Sequence, residues 1–218
     1  MAEKKAPIGD EEILAKRISE QYRIKHSISN DVTIDGETYE FEPREISFPS
    51  SPQYRFLMTM PKNLDVIAPE HMKIKYPSEN RPEIILSSGN TTLNLTFYYT
   101  NNTNTAHETR LTQYQAIFKH LNASNVFFSE KVNELESGLK VACFDFCGSA
   151  LDGDVYYYYF FTDLPATTKA EIVGTFTCPF DLREKWEPLF WQMVETIKPI
   201  SDDDLECPKP GEGGTKHA

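Results

Sequence analysis

The run Val155-Tyr156-Tyr157-Tyr158-Tyr159-Phe160-Phe161 constrains the fold more tightly than any other stretch of the chain. Side chains of a strand alternate between its two faces, so this run is aromatic on both. Its simplest home is a central strand with both faces covered by helices and with tyrosine hydroxyls reaching the edges of the core. A second use follows from the same alternation. Tyr156 and Tyr158, or Tyr157 and Tyr159, would line a groove that stacks on a peptide or ligand.

The neighbours of this run extend it into a meander. Strands are expected over Val126–Leu135, Leu139–Cys147, Val155–Thr162 and Glu171–Cys178, with turns at Glu136-Ser137-Gly138 and at Leu151-Asp152-Gly153-Asp154 and a loop containing Pro165. Upstream, Val32 to Phe41 carries Asp35-Gly36 between two alternating runs, a tight hairpin signal. Phe56, Met58 and Met60 alternate up to Pro61, and Met72, Ile74 and Tyr76 alternate with Lys73 and Lys75 up to Pro77, so each reads as a strand. Ile84 to Ser87, the turn Ser88-Gly89-Asn90 and Leu93 to Tyr99 make a second hairpin.

Three segments show helical spacing. Leu14, Ile18 and Tyr22 form a narrow stripe between Asp10 and His26, which makes residues 1–30 a helical arm that docks on the body or on a partner. Leu111, Tyr114, Ile117, Phe118 and Leu121 predict a core-facing helix from about His107 to Asn122. Leu182, Trp186, Leu189, Met193 and Ile197 predict a closing helix that Asp181 caps and Pro199 stops. Residues 201–218 hold Asp202-Asp203-Asp204 and almost nothing apolar, and read as a disordered acidic tail. The expected architecture is α+β, a mostly antiparallel sheet flanked by helices, in a single domain over residues 31–200.

Charge narrows the partners. A formal net charge of -11 repels nucleic acid and anionic bilayers, and no basic patch overrides it. No apolar stretch follows Lys4 and Lys5, so a cytoplasmic protein of a bacterium is expected, with neither nucleic acid nor membrane as partner. Asn90, Asn94, Asn101 and Asn122 each begin an Asn-x-Ser/Thr triplet, read as chance in an Asn/Thr-rich region.

Chemistry leaves weaker marks. Cys143, Asp145 and Cys147 share one face of a predicted strand, but the two sulfurs start roughly 13 Å apart, too far for one metal or a mutual disulfide. Cys143, Cys147, Cys178 and Cys207 are expected to be free thiols, and no metal or other cofactor is expected. His26, His71, His107, His120 and His217 are scattered outside any ligand spacing. An enzymatic alternative needs a hydrolase-like site assembled from residues such as His107, Asp145 and Cys143.

The ending Gly174-Thr-Phe176-Thr-Cys178-Pro179, leading into Trp186-Glu-Pro-Leu189-Phe190 and Ile197, resembles the last strand and closing helix of the PsbP-like superfamily. So does the order of hairpin, strands, helix, meander and terminal helix, over about Tyr54 to Pro199. The resemblance implies a PsbP-like sandwich and a binding or assembly role without catalysis, but no particular partner. The expected function is a non-enzymatic accessory protein that holds a protein or peptide against one sheet face. It carries over no functional residue. The candidate partner-binding residues are therefore those of the aromatic strand, Tyr156 and Tyr158, together with Trp191. That tryptophan lies five residues after Trp186, about 140° around the helix and off its stripe. The oligomeric state stays open.

Overall fold

The computed structural model describes residues 27–101, 105–150, 153–164 and 170–200. The N-terminal helix expected up to His26, the acidic tail and Cys207 lie outside the described residues. In chain order the elements are β1 (Val32–Ile34), β2 (Glu37–Tyr39), β3 (Phe41–Phe48), β4 (Ser51–Pro61), β5 (Asp65–Val66), α1 (Pro69–Lys75), β6 (Ile84–Ser87), β7 (Asn94–Asn101), α2 (His107–Leu121), β8 (Val126–Glu134), β9 (Lys140–Ala150), β10 (Gly153–Asp163), β11 (Ala170–Pro179), a 3-10 turn at Phe180–Leu182, α3 (Arg183–Glu195) and β12 (Lys198–Pro199).

Seven strands form the main sheet in the order β5-β6-β7-β11-β10-β9-β8, every pair antiparallel. The aromatic run sits in β10, inside that sheet, with β9 and β11 on its two sides. Opposite it in β11 stands Gly174, where an added Cβ would fall 2.1 Å from the Phe160 ring. Only a residue without a side chain lets that ring lie across the neighbouring strand.

Each face of the sheet has its own core. Tyr156, Tyr158 and Phe160 face a large cluster shared with α3 and with a three-stranded sheet of order β12-β4-β3. Phe56 of β4 meets Phe97 of β7 edge-on at 5.4 Å, which joins the two sheets through aromatic contact. Trp186, Leu189, Phe190 and Met193 are buried beneath α3, and burial of side chains of this size contributes roughly 1.5–3 kcal/mol each. Tyr159 and Phe161 face a smaller cluster roofed by α2 through Leu111, Tyr114 and Phe118.

Local chemistry explains most of these elements. Asp35 and Gly36 have φ of 52° and 80°, the pair of positive values that a two-residue hairpin of matching twist requires. Pro43 is tolerated in β3 because that strand is the edge of its sheet.

Three sequence expectations are corrected here. Met72 to Tyr76 is not a strand but the end of α1, which starts with Pro69 in its first turn and places Glu70 at its positive end and Lys73 and Lys75 at its negative end. Ile117 and Leu121 of α2 are 51% and 73% exposed, so its buried line is His107, Arg110, Leu111, Tyr114 and Phe118 instead. The line starts a turn earlier than the apolar spacing suggested, because its first members are charged or polar. Asp181 also does not cap α3, whose N-cap is Leu182 without a side-chain bond.

Candidate functional site

The strand neighbours of Tyr156 and Tyr158 place three sequence-flagged residues side by side. In the register of β9 and β10, Cys147 lies opposite Tyr156, Asp145 opposite Tyr158 and Cys143 opposite Phe160. All point under α3. Asp145 is fully buried, and its carboxylate is met on every side. The Ser129 backbone N–H donates to Oδ1 at 2.7 Å, the Ser129 hydroxyl donates to the same oxygen, and the Tyr156 hydroxyl donates to Oδ2 at 2.9 Å. Arg183 adds a charged contact to Oδ2 at 3.4 Å.

The bulge that makes this possible lies between Phe127 and Glu130 of β8. It withdraws Ser129 from the ladder and turns its N–H toward the carboxylate, the usual use of a bulge to re-aim a group. Arg183 packs its guanidinium 4.0 Å from the centre of the Phe128 ring, so the cation is held by a ring and a carboxylate together.

Cys143 sits one step along the same face. Its thiol accepts from the Tyr158 hydroxyl at 3.3 Å, and burial pushes the thiol up to about 11. A thiol held protonated at neutral pH is a poor nucleophile. The hydroxyls of Tyr156 and Tyr158 are likewise pushed upward, by burial first.

These tyrosines do not line an open groove. Tyr156 is 0% and Tyr158 3% exposed, because α3 closes over them and their hydroxyls find partners within the core. The groove lies further along the same helix. Trp191 is half-buried, with the Lys131 ammonium 3.3 Å from the centre of its ring, and burial lowers that lysine's affinity for its proton. Beyond it opens a groove of about 690 Å³, walled by Trp191, Gln192 and Glu195 of α3, by Glu134 at the end of β8 and Glu136 of the β8–β9 turn, and by Ile28. The Ile28 N–H donates to the Gln192 side-chain oxygen at 3.2 Å, which fixes the chain at the groove's edge.

The three residues of the enzymatic alternative do not meet. Cys143 and Asp145 lie under α3, whereas the His107 ring stacks on Phe161 at 5.7 Å on the opposite face of the sheet. There His107 belongs to a cluster that the sequence reading missed. Arg110 makes paired bonds to Asp163, both at 2.7 Å, and reaches Glu171 with the same guanidinium. Tyr114 donates to the other oxygen of Glu171, and His107 Nδ1 lies 3.2 Å from Arg110. Burial, and then Arg110, lowers the pKa of His107, while burial raises that of Glu171. The signal was present: Glu171 is the lone charge in an apolar strand, and Arg110 falls in line with Tyr114 and Phe118.

Among the described residues no group of three or more His, Cys, Asp or Glu side chains is arranged to hold a metal ion, and the three described cysteines are free. No helix among them is long and apolar enough to cross a membrane.

No family model and no curated protein matches the sequence. The solution structure of cyanobacterial PsbP from Synechocystis sp. PCC 6803 is similar at 8% identity and a TM-score of 0.53, covering 72% of this chain and 92% of that one. A crystal structure of a protein of unknown function from Pseudomonas aeruginosa, described as a putative regulator, is 10% identical over 73% of this chain and 99% of that one, with a TM-score of 0.42. The architecture of this chain is thus a PsbP-like α+β fold, a mostly antiparallel sheet with helices on both faces.

Proposed function

We propose that this chain is a non-enzymatic binding protein whose partner, a protein or peptide segment, seats in the groove beside Trp191. The observation that carries the reading is that open groove of about 690 Å³ with a half-buried tryptophan in its wall. Tryptophans in such positions are favoured anchors, since they bring a large apolar surface at little entropic cost. The exposed carboxylates at the rim argue against an enclosed apolar pocket for a small molecule. Two further observations weigh against catalysis. The Cys143 thiol is held protonated, and His107 is separated from it by the sheet.

A photo-crosslinking amino acid at Glu195 tests the reading in the source cell, with Ile117 on α2 as the control position. Protein adducts are expected from Glu195, and they should disappear when Trp191→Ala is added. Adducts from Ile117 alone would move the binding surface to the other face of the sheet and refute the proposal.

A further inference from the structure

Glu134, Glu136 and Glu195 stand around the groove, all exposed, and among the described residues its lining holds no lysine or arginine. Elsewhere on the surface Glu40, Glu108 and Glu187 are paired with Lys62, Lys140 and Arg183. Among the described residues none of the three groove carboxylates is in an ion pair. The nearby Lys131 holds its ammonium over the Trp191 ring, where it attracts Glu195 without forming an ion pair with it.

We infer that the occupant of the groove is a basic peptide segment, an inference that rests on the binding function proposed above. Lysine or arginine side chains of the occupant meet Glu134 and Glu136 on one wall and Glu195 on the other. Apolar side chains between them pack on the open part of Trp191. Charge complementarity supplies the selectivity, and the net charge of -11 draws such a segment from a distance. An acidic segment meets like charge on both walls and is excluded.

Calorimetric titration of the full chain with a short synthetic peptide of alternating lysine and leucine tests this, with an alternating glutamate and leucine peptide as control. The basic peptide should bind and the acidic one should not. The Glu134→Gln, Glu136→Gln, Glu195→Gln triple variant should weaken binding by roughly tenfold or more, and added salt should weaken the wild type more than the variant. All three positions are exposed, so the triple variant should melt with the wild type. No binding of the basic peptide, equal binding of both peptides, or an unchanged affinity in the triple variant would overturn the inference. Binding that ignores the three glutamines but is lost in Trp191→Ala overturns only the basic occupant and leaves the groove as the site. Binding that needs the carboxylates but survives Trp191→Ala overturns both.

Discussion

The two faces of β10 bury a charge in opposite ways. Under α3, Asp145 is satisfied by two donors from Ser129 and one from Tyr156, and Arg183 only adds to them from a position that is 24% exposed. Under α2, Arg110 is itself 5% exposed and neutralises two carboxylates, Asp163 and Glu171, with a histidine pressed against it. The first arrangement rests on neutral hydrogen bonds and should survive the loss of its cation. The second is built around the cation. Removing one member of a buried ion group costs far more than the group's net worth, since the remaining charge stays desolvated.

The comparison is broken most directly by exchanging the two arginines for methionine. Arg110→Met should destabilise the protein by roughly 3–5 kcal/mol, because the buried Glu171 is left without its cation beside a partly exposed Asp163. Arg183→Met should cost about 1.5 kcal/mol, the value of one bond to a charged group, because three donors still hold Asp145. Denaturant titrations with matched slopes measure both. Similar costs would show that the two faces bury charge alike.

Acid sharpens the same contrast. The folded state lowers the pKa of His107 below its unfolded value near 6.5, so the neutral ring contributes stability above that pH, and the contribution is lost as pH falls through the folded pKa. Glu171 has the opposite sign. Its pKa is raised, so its contribution is present at low pH and lost as pH rises through the folded pKa. Arg110, Asp163, Lys140 and Glu108 are charged groups that face the histidine. The wild type should therefore lose stability between about pH 7 and 5 relative to His107→Gln, whose profile keeps the carboxylate contributions, Glu171 among them, without the histidine's. Parallel profiles would mean that His107 carries no linked proton.

The smallest effect concerns the outer side of α2. Ile117→Ser and Leu121→Ser should each stay within about 0.5 kcal/mol of the wild type, as expected of exposed positions. A loss above roughly 1.5 kcal/mol would restore both residues to the core.

These contrasts also mark what was legible in the sequence. The meander could be read because the aromatic run allows only a strand covered on both faces, and the Asp35-Gly36 hairpin because few dipeptides adopt two positive φ values. Strand β3 escaped notice because Pro43, Arg44 and Glu45 interrupt its apolar alternation, which an edge strand tolerates. In α1 the alternation of Met72, Ile74 and Tyr76 imitated a strand because a helix this short leaves all its residues unburied and its apolar positions uninformative. The candidate site was legible only in part. Trp191 was placed off the buried stripe by its spacing, but the groove joins residues 27–30, 133–136 and 191–196, and no local pattern announces three walls brought together by folding. Tyr156 and Tyr158 show the opposite failure, where periodicity named a face and could not tell that α3 covers it.

The claim that binding sits on α3 beside Trp191, and stability beside Trp186, is tested most directly by truncating the two tryptophans of the same helix and measuring unfolding and partner binding on each variant. Trp186 is 1% exposed and stacks on Phe190 at 5.4 Å, so Trp186→Ala should cost roughly 3–5 kcal/mol by leaving a cavity. Trp191→Ala should cost under about 2 kcal/mol yet weaken capture of the crosslinked partner by at least roughly tenfold. Equal destabilisation by the two changes, or full binding by Trp191→Ala, would contradict the account.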